Sequence, residues 1–165
     1  NIAVSEKRPV HPDMNAADLL EIASVSGAGL ISCALEQLAS GATPEKQDDS
    51  RATYCGKIDR DTAIIDWNRR PLEIHNLVRG LNPKPVAFSR FRGEQVRIWR
   101  TAPVYGEMPA VPAPGVLVRY QKKRLLVGTG DGYIEVLGIQ PANRNVMDAG
   151  AFINGYRLTP EDRFE

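Results

Sequence analysis

The chain has 165 residues, of which 42% are hydrophobic and 25% charged, and this composition argues against intrinsic disorder. No apolar run approaches the ~18 residues of a membrane span, and no signal-peptide pattern opens the sequence, so we expect no membrane association. Cys33 and Cys55 form no C-x-x-C pair and have no histidine at ligand spacing. We therefore expect neither a metal site nor a disulfide framework, and a reducing, cytoplasmic location.

The formal net charge of +1 conceals two unlike segments. Residues 1–50 carry three basic and eight acidic side chains, a net charge of −5, whereas residues 51–165 carry 18 and 12, a net charge of +6. Residues 69–124 hold 12 basic side chains against the acids Glu73, Glu94 and Glu107. Such asymmetry favours a surface that faces a polyanion, although basic side chains that merely solvate strands would leave the same composition.

The first predicted elements are a short β-strand at Ile2–Val4 and a long amphipathic helix from Asn15 to Ser40. Asn15 is a good N-cap with an acid three residues later, and Gly41 supplies a left-handed stop. One strand and one helix cannot bury the helix's own apolar stripe. We therefore expect residues 1–41 to be the end of a larger α/β domain whose remainder precedes Asn1.

Residues 42–60 are polar and non-periodic, which predicts an interdomain linker. A helix is predicted to start at Pro71 and stop at Gly80, and the prolines of residues 82–85 exclude a helix there. The pattern then alternates, and Gly93-Glu94 predicts a hairpin turn, followed by a proline-rich loop containing Pro109. The strand candidates are Ala87–Arg92, Gln95–Thr101, Val116–Tyr120, Arg124–Thr129 and Tyr133–Ile139, and Met147–Tyr156 could add a helical turn. The fold class is therefore mainly β, a small OB-like barrel at residues 61–165 with a short helix.

No catalytic constellation is apparent. The glycine-rich segment Gly128–Gly132 precedes a strand rather than a helix, so a hairpin turn is favoured over a phosphate-binding loop. His11 and His75 have no carboxylate or thiol at the spacing of a triad or a metal site. We therefore predict no catalytic residue in this chain.

The hairpin carries basic residues at its polar positions, and further basic residues precede the fourth predicted strand. Small barrels bind nucleic acid through such faces, mainly by phosphate contacts that weaken with salt. Few aromatic side chains are expected to be exposed, so backbone contact is favoured over base stacking. The candidate phosphate-contacting residues are Arg51, Lys57, Arg90, Arg92, Arg97, Arg100, Lys122, Lys123 and Arg124.

A set of motifs in a fixed order runs along nearly the whole chain. They are residues 47–58 (QDDSRATYCGKI), Ile65-Asp66-Trp67, and residues 74–83 (IHNLVRGLNP), 96–100 (VRIWR), 114–115 (PG), 130–132 (GDG), 140–141 (QP) and 152–156 (FINGY). In this order and spacing they resemble the methionyl-tRNA formyltransferases. Residues 47–58 resemble that family's interdomain linker, residues 65–67 and 74–83 are similar to the start of its C-terminal domain, and the helix of residues 15–40 resembles the last helix of its N-terminal domain.

The resemblance implies an enzyme that transfers a formyl group from 10-formyltetrahydrofolate to the amino group of methionyl initiator tRNA in translation initiation. The family's catalytic Asn, His and Asp belong to the N-terminal domain, and no residue of this chain matches them. The chain is accordingly expected to be inactive alone, to bind no cofactor, to be monomeric and to dock tRNA through its linker and barrel.

Two departures from the family pattern affect the expected RNA contacts. The family's usual Asn-Pro-Trp-Pro-Gly is residues 82–86 here (NPKPV), and its usual Gly-Lys-Lys after Gln-Pro is residues 143–145 (NRN). A sugar-nucleotide formyltransferase is the nearest alternative, and a non-catalytic RNA-binding barrel is an alternative from another class. Asn82-Pro83 and the 152–156 segment favour the tRNA enzyme.

Overall fold

The computed structural model describes residues 1–106 and 112–165, which divide into two compact units, residues 1–57 and residues 58–165. The division falls inside the predicted linker of residues 42–60. Glu107 and Pro109, which belong to the predicted proline-rich loop, lie outside the described residues.

The first unit contains a single long helix, α1, Ala16–Ala39. Its N-cap is the predicted one, because the Asn15 side chain accepts from the amides of Ala17 (2.7 Å) and Asp18 (3.1 Å), while the Asp18 carboxylate accepts from the Asn15 amide (2.9 Å). Two residues beyond the helix, Gly41 adopts a φ of +89°, the left-handed conformation that glycine tolerates at helix ends. The local signals at both ends of α1 therefore act as predicted.

The apolar stripe of α1 is uncovered, since no residue of this helix is buried. By length and composition α1 could cross a membrane, which differs from the sequence expectation. The reason is that Leu, Ile, Val and Ala give this helix a high mean hydropathy, although interspersed Ser and Gly leave no unbroken apolar run. A core helix of a soluble protein satisfies the same criteria, so α1 by itself assigns no membrane location.

The expected strand at Ile2–Val4 is reduced to one residue pair. Ile2 and Glu45 form an isolated antiparallel bridge, with backbone N···O distances of 2.7 and 2.9 Å. Pro44, next to Glu45, has no amide hydrogen and cannot donate to a longer ladder.

In the described part of the second unit there are two α-helices and six strands, and all five predicted strands are confirmed with bounds that differ by at most two residues. Strand alternation and turn residues suffice to locate them because both are local properties of the chain. The elements are α2 Pro71–Gly80, β1 Phe88–Phe91, β2 Glu94–Pro103, β3 Leu117–Tyr120, β4 Arg124–Gly128, β5 Tyr133–Pro141, β6 Met147–Asp148 and α3 Ala149–Tyr156.

The strands form one antiparallel sheet in the order β1-β2-β5-β4-β3, and the short β6 pairs with the end of β5. Gly128 and Tyr133 face each other across the β4–β5 turn, so the glycine-rich segment is a hairpin turn as predicted. Within it, Gly130 lies so close to the backbone that an added Cβ would be 2.0 Å from the Asn68 carbonyl oxygen. The turn is thereby fixed against the segment that leads into α2.

The last residues of the chain connect the two edges of this sheet. On the β1 side, the backbones of Arg90 and Glu165 exchange hydrogen bonds of 3.1 and 3.0 Å. On the β3 side, Phe164 donates to Gly115 (2.8 Å) and Leu117 donates to Asp162 (3.0 Å). Residues 162–165, which we call the closing segment, therefore join the edge strands and curl the sheet into the small barrel that was predicted.

The barrel interior is apolar and rich in aromatic contacts. Phe164 of the closing segment stacks on Trp67 at a centroid separation of 5.3 Å and meets Phe91 edge-on at 6.0 Å. Phe152 of α3 meets Phe91 at 5.2 Å. Offset and edge-on pairs of this kind are the favoured aromatic geometries. Helix α2 contributes Ile74 and Val78 to the same core.

Candidate nucleic-acid interface

Strands β1 and β2 carry three exposed arginines that form no ion pair among the described residues. Along β2, Val96 and Ile98 point into the core, so the alternating Arg97 points outwards, where it lies opposite the half-buried Phe88. Arg90 lies opposite Gln95 on the same face by the same register. Beyond an irregularity in the β2–β5 register, Arg100 is exposed as well.

These three arginines keep their positive charge uncompensated by direct ion pairs. Within residues 1–106 and 112–165, no carboxylate forms an ion pair with Arg90, Arg97 or Arg100. Arg90 donates to the Gly93 carbonyl at 3.2 Å, a contact that leaves the charge in place. Exposed guanidinium groups of this kind are available to bind phosphate oxygens.

Arg92 is engaged by the closing segment instead. Its Nε and one terminal nitrogen donate to the two carboxylate oxygens of Asp162, each at 2.8 Å. The hydrogen bond from Arg92 lowers the pKa of the Asp162 carboxyl, helped by the Thr159 amide at 2.7 Å, and the same contact raises the pKa of Arg92. Arg92 thus fixes the barrel closure, and its guanidinium is occupied.

Arg124 is engaged by its neighbouring strand in the same way. It donates to both carboxylate oxygens of Glu135 at 2.9 and 2.6 Å, which raises the pKa of Arg124. Its guanidinium carbon also lies 5.5 Å from the centre of the Tyr120 ring. A bidentate pair holds its arginine in one orientation, so Arg124 has little freedom to turn towards a ligand.

The remaining four candidates are divided between the two units. Lys122 and Lys123 are exposed in the β3–β4 turn, and the strand order places β3 at the opposite end of the sheet from β1. Arg51, at the end of a 3₁₀ turn over Asp49–Arg51, and Lys57 are exposed residues of the first unit. The structure therefore brings Arg90 and Arg97 together on the outer face of the hairpin, leaves Arg100 exposed farther along β2, and places Lys122 and Lys123 at the other end of the sheet.

Two depressions adjoin the outer face of the hairpin and share Gln95 and Arg97 in their linings. The larger, of about 700 Å³, is also lined by Arg60, Lys84 and Phe88. The smaller, of about 260 Å³, extends towards Gln140–Asn143. Arg60 and Lys84 were not among the sequence candidates, although the Lys in the 82–86 segment was a visible departure from the family's tryptophan.

Arg60 is held against the hairpin by two contacts. One terminal nitrogen donates to the Gln95 side-chain oxygen at 3.3 Å, and its guanidinium carbon lies 5.8 Å from the centre of the Phe88 ring. Asp59, the acid of the larger depression, accepts from the hydroxyl (2.7 Å) and amide (2.8 Å) of Thr62, which lower the pKa of its carboxyl. The part of the lining that the structure describes thus contains three cations and one anion.

The described residues form neither a metal-binding cluster nor a disulfide bond. Residues 1–106 and 112–165 contain no group of three His, Cys, Asp or Glu side chains placed to hold a metal ion. Both cysteines are free thiols. The buried His75 lies against the Thr101 hydroxyl at 3.1 Å, inside the barrel rather than at its surface.

Fold and surface together describe a small, mainly β barrel domain with a basic outer face. The family model of the formyl transferase C-terminal domain matches residues 57–157, which is more than half of the chain. The chain therefore belongs to the formyl transferase family and contains that family's C-terminal domain.

Curated relatives agree with this assignment. The methionyl-tRNA formyltransferase of Solibacter usitatus is 40% identical over 155 residues, covering 93% of this chain and 49% of the relative. The enzyme of Coxiella burnetii is 41% identical, covering 88% of this chain and 46% of the relative. That of Bacillus subtilis is 34% identical, covering 90% of this chain and 47% of the relative. The chain thus spans about half the length of the curated relatives that it matches.

Solved structures support the fold. A variant of HypX from Aquifex aeolicus matches with a TM-score of 0.61 at 17% identity, covering 90% of this chain and 26% of HypX. HypX in complex with tetrahydrofolic acid matches with a TM-score of 0.53 at 19% identity, covering 74% of this chain and 22% of HypX. At such low identities the likeness concerns the fold alone.

Proposed function

We propose that this chain is part of a methionyl-tRNA formyltransferase. The single observation that carries the proposal is the 40% identity to such an enzyme over 93% of the chain. The protein would transfer the formyl group of 10-formyltetrahydrofolate to the amino group of methionyl initiator tRNA.

Within that enzyme, the segment docks tRNA through the outer face of the hairpin. Arg90, Arg97 and Arg100 contribute because their charges are exposed and without ion-pair partners among the described residues. Phosphate contacts of this kind position a nucleic acid without reading its sequence. Holding the tRNA body accelerates formyl transfer by fixing the acceptor end near the donor, which is catalysis by proximity. We place the protein in the cytoplasm, as a monomer.

Salt dependence of tRNA binding tests the docking role. We expect the chain to bind initiator tRNA weakly, with an affinity that falls steadily between ~50 and ~200 mM salt as counterions are released. A fluorescence titration at several salt concentrations measures the slope. Affinity that does not change with salt would contradict docking through basic side chains.

An assay of formyl transfer by the chain alone tests whether catalysis requires residues outside this chain. Incubated with 10-formyltetrahydrofolate and methionyl initiator tRNA, the chain should give no formylmethionyl-tRNA, because the family's catalytic Asn, His and Asp have no counterpart here. A full-length relative is the positive control. Measurable turnover by the chain would refute the assignment of its domains. Formylation of a nucleotide sugar by the full-length protein would instead favour the alternative family.

A further inference from the structure

Three cations from separate parts of the chain converge on one groove. Arg60 comes from the segment before α2, Lys84 from the turn of residues 81–85, and Arg97 from the outer face of β2. All three side chains are exposed and line the same depression of about 700 Å³. Among the described lining residues the charge is net positive, because Asp59 is the one acid beside these three cations.

The Arg60 side chain is held in position by contacts within the protein. Its contacts with Gln95 and the Phe88 ring join it to the outer face that presents Arg97. Gln95 and Phe88 are both hairpin residues, so the groove is built on a sheet rather than on a loop alone. A cation held in place in this way loses less side-chain entropy on binding phosphate than a freely moving one.

The two depressions share part of their linings, which favours a ligand that extends along the surface, such as a chain of phosphates. Arg97 lies where the 700 Å³ and 260 Å³ depressions adjoin, and the second continues past Gln140 to Asn143. Sites for small molecules enclose most of their ligand, whereas an extended basic track follows a polymer backbone. Lys84 adds a charge at the position where the family usually has an aromatic residue.

We propose that Arg60, Lys84 and Arg97 form a phosphate-binding track for the RNA backbone, with Arg97 at its centre. Arg92 and Arg124 take no part, because Asp162 and Glu135 already occupy their guanidinium groups. The track rests on the proposed tRNA docking role and specifies where on the barrel the phosphates bind.

Two variants of equal charge test the track. The first combines Arg60→Gln, Lys84→Gln and Arg97→Gln, and the control combines Arg69→Gln, Arg70→Gln and Arg157→Gln, which are exposed and lie outside both depressions. Thermal unfolding of both checks that each folds. The dissociation constant for initiator tRNA is measured from ~50 to ~200 mM salt, with and without ~1 mM of a nucleoside diphosphate as competitor.

The track variant should bind roughly tenfold or more weakly, and its plot of log affinity against log salt should be shallower by about two to three. The control should keep its slope to within about one. If the two variants lost the same amount of tRNA affinity, the track would be refuted while the docking role remained. Displacement of tRNA by the nucleoside diphosphate would likewise overturn a backbone track in favour of a nucleotide pocket. Absence of any tRNA binding by the unmodified chain would refute the docking role itself.

Discussion

Val86 adopts a backbone conformation that its side chain disfavours. Its φ is +69°, a left-handed value that is exceptional for a β-branched residue. The side chain is 4% exposed, and the amide donates to the Leu81 carbonyl at 2.9 Å, so packing and a hydrogen bond hold this conformation in place. The family that the chain resembles usually has glycine at this position, and glycine adopts positive φ without steric cost.

At position 86 a glycine variant should be more stable than an alanine variant, which reverses the usual order of these two residues. Val86→Ala and Val86→Gly both remove the buried branches, but only alanine keeps a Cβ at positive φ, which costs ~1–2 kcal/mol. After the ~0.5–1 kcal/mol entropic cost of glycine, we expect V86G to be more stable than V86A by about 0.5–1 kcal/mol. Urea unfolding measures the difference. The adjacent Ala87→Gly is the control, and there glycine should lower the stability. If V86G were less stable than V86A, the backbone of Val86 would not be strained.

The closing segment stabilises the barrel at the scale of secondary-structure elements. Residues 64–65 already pair with Phe88 at the start of the β1 edge, so without residues 162–165 the rest of that edge and the edge of β3 would be unpaired. The segment fits tightly, since a Cβ added at Gly115 would lie 2.3 Å from the Phe164 carbonyl oxygen, and Gly115 has a φ of +83°. Asp162 secures the segment because its carboxylate, 7% exposed, binds both Arg92 and the Thr159 amide.

The Asp162 contact predicts a pH-dependent stability. Because folding lowers the pKa of this carboxyl, its contribution is complete above the unfolded pKa of about 3.9 and is lost as the pH falls through the folded value. Asp162→Asn should cost about 1–3 kcal/mol of unfolding free energy at neutral pH, and the difference from the unmodified chain should shrink below about pH 4. Urea unfolding at several pH values measures both.

Glu161→Gln provides the control for that experiment. Glu161 is the exposed acid next in sequence, and among the described residues it has no ion-pair partner. Its substitution should change stability little at any pH, as expected for an exposed charge. A constant penalty for D162N across the whole pH range would show that the carboxylate's charge is not what secures the closing segment.

At the scale of the molecule, the two units differ in how completely they bury their apolar residues. The core cluster lies entirely between Ala63 and Phe164. Helix α1 has no buried residue, and Leu20, Val25 and Ile31 are strongly exposed. Residues 58–165 therefore contain the ingredients of an independent domain, a closed sheet with its own core.

We expect residues 58–165 to fold without the first unit. Expressed alone, this segment should unfold in one cooperative transition, with a urea midpoint close to that of the barrel in the whole chain, because the first unit supplies none of the core. Near-ultraviolet circular dichroism reports the packing of Trp67 and the core phenylalanines. A broad, non-cooperative transition of the isolated segment would show that its stability depends on residues 1–57.

Much of the fold could be predicted from local patterns, whereas the pairing of charges could not. The Asn15 cap, the strand at Phe88–Phe91 and the turn at Gly128–Gly132 depend on residues within a few positions of one another. Arg92 and Asp162 are 70 positions apart, and Arg60 and Gln95 are 35 apart. The predicted set of phosphate-contacting residues consequently included Arg92 and Arg124, which the structure pairs with Asp162 and Glu135.

The amino-acid sequence alone determined the family, the mainly β barrel and the basic character of residues 69–124, because motif order, alternation and composition are properties of the chain itself. Only the tertiary structure decided which cations remain available, because an ion pair depends on the distance between groups that folding brings together. It likewise decided that residues 162–165 close the barrel, since hydrogen bonds to two separate strands leave no local pattern.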